Sequence, residues 1–141
     1  MMDRVMQHAA ATDQSIVCGV LMDAVDEQIV LGLPETDYRI HLCVDDAVNG
    51  SVGAHTRGRI HARARRVDVA PSGGCYIEPV YGRPRRLQGR IVATDPKTDS
   101  IVVHCGCAFV CTLAADQKAS AFDPGDFVTF DVESGARFEP I

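Results

Sequence analysis

With 141 residues and a formal net charge of −5, the chain has room for one ordinary domain or two small ones, and 46% hydrophobic against 23% charged residues excludes a disordered polyelectrolyte. No run of 18 apolar residues occurs, so no helix is expected to span a membrane. Residues 1–15 are polar and lack the apolar centre of a secretory signal; a cytoplasmic setting is expected, with Cys18, Cys43, Cys75, Cys105, Cys107 and Cys111 as reduced thiols.

In chain order, 1–15 reads as a tail in which 7–11 has the length of a short helix. Strands are expected over 16–22 and 29–33, joined by a turn within 23–28. Residues 33–37 form a loop, and a third strand over 38–44 places Tyr38, Ile40, Leu42 and Val44 on one face. A polar loop over 45–53 precedes the most distinctive segment. There Arg57, Arg59, His61, Arg63 and Arg65 alternate with Gly58, Ile60, Ala62 and Ala64. Successive strand side chains point to opposite faces, so an extended 56–66 presents four arginines and a histidine from one side. The small residues opposite require a close neighbour, either another backbone or the 1–11 segment. Val67 and Val69 continue on the parity of the cations, which implies a bulge or a strand end near Arg66.

A turn-rich boundary at 70–75 opens a connector that carries Tyr76, Tyr81, Arg83, Arg85 and Arg86, with Pro79 forbidding a central strand. The tyrosines and arginines read either as a stacking and phosphate-binding surface or as a packed strap. Strands follow over 87–94, 101–105, 107–113 and 127–133, with one or two helical turns within 114–121 and a short last strand after Gly135.

The second set of strands shadows the first. Residues 19–23 (Gly-Val-Leu-Met-Asp) align with 89–93 (Gly-Arg-Ile-Val-Ala), 29–31 with 101–103, 38–42 with 109–113, and Gly53 with Gly125, at offsets of 70 to 72. This order predicts an internal repeat, hence an all-β fold of two tandem OB-like barrels with at most short helices: a tail at 1–15, a first barrel at 16–70, a connector at 71–86 and a second barrel at 87–141. An SH3-like or cradle-loop barrel fits the same order. The layout resembles paired molybdate-binding barrels of the Mop/TOBE type, whose Leu-x-Pro-Gly-x-x-Val shape 122–128 (Phe-Asp-Pro-Gly-Asp-Phe-Val) approaches. Such a resemblance implies an oxyanion ligand; the Ser-Ala-Arg-Asn segment that binds it in that family is absent from both copies.

Residues 55–90 hold nine arginines against Asp68 and Glu78, a local balance of +7 that leaves −12 for the remainder. The stripe at Arg57, Arg59, His61, Arg63 and Arg65 and the connector at Tyr76, Tyr81, Arg83, Arg85 and Arg86 are therefore the candidate partner-binding residues. The partner is an acidic protein face, either on a second subunit or on the chain's own second half through Asp131 and Glu133, or else single-stranded nucleic acid, whose phosphates guanidinium groups bind bidentately. His104, Cys105 and Cys107, with Cys111, have the donor chemistry of a metal site, but parity places Cys105 and Cys111 in the core. Arg39, His41 and Cys43 share an outward face as a second, smaller cluster. No GxSxG, P-loop, HExxH or CxxC motif occurs, and the paired acids Asp45 and Asp46, and Asp95 and Asp99, fall in turns. The expected function is a non-enzymatic binding or assembly module without a cofactor. The alternative is an oxyanion- or metal-binding protein that uses the cleft between barrels or the His104–Cys111 cluster.

Overall fold

Alternation of inward apolar and outward polar side chains turns nearly every predicted segment into a strand. The computed structural model describes residues 13–45 and 50–141; the helix expected over 7–11, the 1–11 segment as a cover for the small face, and part of the 45–53 loop lie outside the described residues. Among the described residues twelve strands form one sheet: β1 (Val17–Val25), β2 (Gln28–Gly32), β3 (Arg39–Cys43), β4 (His55–Arg63), β5 (Asp68–Val69), β6 (Tyr76–Glu78), β7 (Tyr81–Gly82), β8 (Arg86–Asp95), β9 (Ser100–His104), β10 (Ala108–Thr112), β11 (Phe127–Asp131) and β12 (Arg137–Pro140). Between β10 and β11 the helical expectation shrinks to a 3-10 turn at Ala119–Ala121.

β1, β2, β3, β12 and β4 pair in sequence, and β4 pairs back with β1, so five strands close a barrel. One of the five, β12, is the last strand of the chain. From β4 the sheet continues through β10, β9, β8 and β11 to the two-residue edge strand β5. β11 returns toward the end of β4 through the single bridge Ala64↔Val132, flanked by hydrogen bonds from Arg65 N–H to Asp131 O and from Glu133 N–H to Arg63 O. The sequence leads one to expect two tandem barrels, and the structure shows one closed five-strand barrel plus further strands. Each half lends a strand to the other: β4 pairs in parallel with β10, and β12 pairs in parallel with β3. Closure needs a partner for the free edge of each third strand, and the chain supplies it from the opposite half. The core is accordingly one cluster, with Phe109, Phe130 and Phe138 packed beside Leu31, Ile40 and Ile60.

The two halves share local detail. β1 has a bulge between Leu21 and Asp23 against β2, and β8 has one between Ile91 and Ala93 against β9. Leu21 N–H donates to Ala54 O while Gly53 N–H donates to Leu21 O; Ile91 exchanges the same two bonds with Asp126 and Gly125. Gly19 stands opposite Thr56, and Gly89 opposite Val128. The connector, expected to be merely extended, makes two short strands: β6 pairs with β8 and stops at Pro79, and β7 pairs in parallel with β3.

Two glycines permit contacts that no side chain tolerates. A Cβ on Gly58 meets the Glu139 carbonyl oxygen and lies 2.6 Å from the Phe138 ring, and one on Gly89 meets the His104 carbonyl oxygen. Both obstacles are backbone, which cannot turn aside. Gly58→Ala and Gly89→Ala are each expected to lower stability by about 1–3 kcal/mol. Gly74→Ala, with nothing within 4 Å of the added Cβ, is expected to change it by less than about 0.5 kcal/mol. Urea midpoints of the three variants check the ranking, and an unchanged midpoint for Gly58→Ala would disprove the tight β4–β12 approach.

Candidate functional site: an arginine pocket at the end of the cationic strand

The alternation over β4 holds. Gly58, Ile60, Ala62 and Ala64 are buried, while Arg57, Arg63 and Arg65 are exposed and Arg59 and His61 half-buried on the outer face. The close neighbour of the small face is β12, whose Phe138 and Glu139 backbone lies against Gly58.

The middle of the stripe is partly neutralised by the chain's own carboxylates. His61 Nε2 lies 2.8 Å from Glu139 Oε1, across the β4–β12 pair. Arg59 donates to Ser15 Oγ at 2.9 Å and approaches Asp13 at 3.4 Å. Arg63 faces Glu133 at 3.9 Å, a loose contact between exposed groups. Asp131, the other acid expected opposite the stripe, is held by Arg86 at 2.8 Å, with Thr129 Oγ1 as a second acceptor at 3.0 Å. The Glu139 carboxyl is held below its ordinary value of 4.5, chiefly by the hydrogen bond from His61 and further by the charges of His61, Arg59 and Arg137, against the opposing effect of desolvation.

At the C-terminal end of the stripe the balance reverses. Arg65 joins Arg83, Arg85 and Arg86 around a depression of about 650 Å³, floored in part by Pro79 and Val132. Glu78 and Asp131 also line it, so the lining carries four cations against two anions. Among the described residues Arg65, Arg83 and Arg85 form no side-chain ion pair, and Arg86 is the one guanidinium already committed. β6 and β7 create this site: the connector crosses from β8 to β3, and Arg83, Arg85 and Arg86 follow it to the stripe's end.

Neither connector tyrosine lines the depression itself, although Tyr76, ahead of Asp131, raises the pKa of the Arg86 guanidinium. Tyr76 donates to Gln88 Oε1 at 3.3 Å beside β8. Tyr81 sets its ring edge-on to His41, centroids 5.1 Å apart, and remains 67% exposed. Arg57 and Arg63 stay on the strand, away from the pocket lining. The sequence reading missed Glu139 as the histidine's partner; its alternation with Phe138 in the last strand is the signal that places it outward.

The donor cluster at 104–111 is split between two faces. His104 is exposed, whereas Cys105, Cys107 and Cys111 are buried among apolar side chains. Burial pushes the Cys107 thiol up to about 12 and raises Cys105 and Cys111 strongly as well, so all three carry their protons and pack as small hydrophobes. Among the described residues no three His, Cys, Asp or Glu side chains converge on a common point. The outward cluster of Arg39, His41 and Cys43 is half-buried, and Arg39 donates to the Tyr38 carbonyl. The acids Asp95 and Asp99 hold turns: Asp95 accepts from Lys97 N–H, and Asp99 accepts from Ala119 N–H and Lys118. Asp45 approaches Arg137 at 3.5 Å. The 122–128 segment that resembles the Mop/TOBE shape is the turn ahead of β11, where Gly125 takes φ +99° and Asp126 caps the Asp123 N–H.

Comparison with protein-family models, curated proteins and solved structures returned no match to this chain.

Two outcomes follow from this arrangement. A thiol reagent is expected to modify exposed Cys18 and Cys75 in the native protein, and Cys105, Cys107 and Cys111 only on unfolding; prompt labelling of Cys105 would contradict its burial. Because the Glu139 pKa is lowered on folding, the stability it contributes is complete above the ordinary carboxylate range and is lost as pH falls through its lowered value. Both groups are partly exposed, so Glu139→Gln is expected to cost less than about 1 kcal/mol at neutral pH. The cost should shrink in acid, as measured by urea titrations at two pH values.

Proposed function

We propose that the chain is a non-enzymatic binding and assembly module, and that the surface it presents is the arginine pocket where the cationic strand meets the connector. One observation carries this reading: Arg65, Arg83 and Arg85 converge there without a carboxylate partner among the described residues, while acids quench the middle of the same strand. Like charges gather at a cost unless a counter-charge completes them, and planar guanidinium groups match carboxylate geometry bidentately. The remainder of the chain, at −12, repels long polyanions, and no aromatic ring lines the pocket to stack a base. Both features favour an acidic protein face over single-stranded nucleic acid.

We infer further that the two halves descend from one duplicated unit of OB-like strand order that closes by exchanging strands. The bulges at Leu21 and Ile91 and the closing bonds at Gly53 and Gly125 support this, lying at the offsets seen in the sequence. Such a frame leaves the connector as the segment without a counterpart, which is where Arg83, Arg85 and Arg86 reside.

The test is fluorescence anisotropy with a labelled glutamate-rich peptide and an oligothymidylate of equal charge. The peptide is expected to bind at low salt and to dissociate as salt rises, and Arg83→Glu/Arg85→Glu is expected to weaken it at least about tenfold. Absence of peptide binding at low salt overturns the reading. Tighter binding of the oligothymidylate, with a steep salt slope, replaces it with nucleic acid.

A further inference from the structure

The arginine pocket is one end of a longer face. A small depression of about 120 Å³ beside the β1–β2 hairpin is lined by Asp23, Val25, Gln28 and His41. The next, of about 170 Å³, shares Gln28 and His41 with it and is lined also by Arg83 and Gly135. Arg83 in turn lines the arginine pocket. Three adjoining depressions thus run from the hairpin tip, past His41, to the guanidinium cluster.

Charge changes sign along this row. The tip carries Asp23, Asp26 and Glu27, all exposed and without an ion pair among the described residues, and no lysine or arginine between them. Arg65, Arg83, Arg85 and Arg86 occupy the other end. Exposed apolar side chains lie on the same path: Val25 at the tip is 60% exposed, and Tyr81, which packs on His41, is 67% exposed. Tyr81 rests on His41, between the two charged ends, and His41 Nε2 is buried with no hydrogen-bond partner. At each end an apolar group sits among charges, Val25 beside the tip carboxylates and Pro79 with Val132 where four guanidiniums outnumber the carboxylates of Glu78 and Asp131.

We propose that this face joins two copies of the chain about a twofold axis near Tyr81, with the acidic tip of each copy against the arginine pocket of the other. This rests on the reading of the pocket as a docking site for carboxylates and names a second copy as the partner. A face that is acidic at one end, basic at the other and aromatic between them is complementary to itself after a half-turn. That is the condition for an isologous interface, which closes at two subunits. Every tip carboxylate then meets a guanidinium, Val25 reaches the apolar floor at Pro79 and Val132, and the tyrosines cover one another. Aromatic side chains at the centre with charges around them are the usual anatomy of such contacts. A stable dimer covers about 800 Å² on each partner, about a tenth of the 8118 Å² that this chain exposes.

Light scattering and sedimentation on the full chain test this. At low ionic strength a mass of twice 15.2 kDa is expected, falling toward the monomer as salt rises. Asp23→Arg/Glu27→Arg and Arg83→Glu/Arg85→Glu are each expected to weaken the dimer at least about tenfold, because each sets like charges together. Mixed in equal amounts, the two variants become complementary at both contacts and are expected to recover a one-to-one heterodimer, with circular dichroism unchanged throughout. Tyr81→Asp is expected to abolish the dimer while the glutamate-rich peptide still binds, since Tyr81 does not line the pocket. A wild-type monomer at low salt that still binds the peptide overturns the dimer alone; failure of the peptide to bind overturns the pocket reading beneath it. Species that grow beyond two subunits with concentration, a mixture that does not recover association, or a Tyr81→Asp dimer would each overturn the twofold arrangement.

Discussion

β12 runs so close to β4 that Gly58 has no room for a methyl group. Phe138 and the Glu139 carbonyl occupy the space where that group would lie. The last strand of the chain can therefore complete a ring begun by the first. Because β12 is extended, Phe138 enters the core while Glu139 emerges beside His61 and Arg59. One backbone approach thus closes the barrel, fills its centre and sets an acid against the cationic strand. A similarly tight contact at Gly89 admits the His104 carbonyl between β8 and β9.

Electrostatics on the outer face follow from that closure. A strand with a cation at every second position is repulsive on its own, since alternate side chains stand only about 6.6 Å apart. Asp13, Glu139 and Glu133 relieve the repulsion at Arg59, His61 and Arg63. Each of these pairs contributes little by itself, but together they shift the unquenched charge toward Arg65 and the connector. Asp131, the last residue of β11, serves Arg86 and so lies within the pocket lining. The pocket is accordingly a place where charge density is left over from folding, on β-strand and turn backbone held by pairing at both ends.

The cysteines show how burial decides chemistry. Three thiols close together in sequence would suit a soft metal if they faced a common point as thiolates. Inside the core a thiolate has neither water nor a counter-ion, so the protonated form prevails and sulfur acts as a compact apolar group. Gly106, at φ +134°, makes the reversal that sends Cys105 and Cys107 inward on either side of it, and leaves His104 outside.

Local order was written in the residues. Period-2 alternation located nine of the main strands to within a few positions, because the direction of a strand side chain depends only on its place in the pleat. The same rule placed the arginines outward on β4 and Cys105 and Cys111 inward. Only the tertiary structure decided which strand lies beside which. Parallel pairing of β4 with β10 and of β12 with β3 joins segments tens of residues apart, and no periodicity records a partner so distant. For the same reason the stripe proved partly quenched, and Arg65, Arg83 and Arg85, three cations with no ion pair among the described residues, came together at its end: sequence sets the sign and facing of a charge, but its neighbours are fixed by how the chain closes on itself.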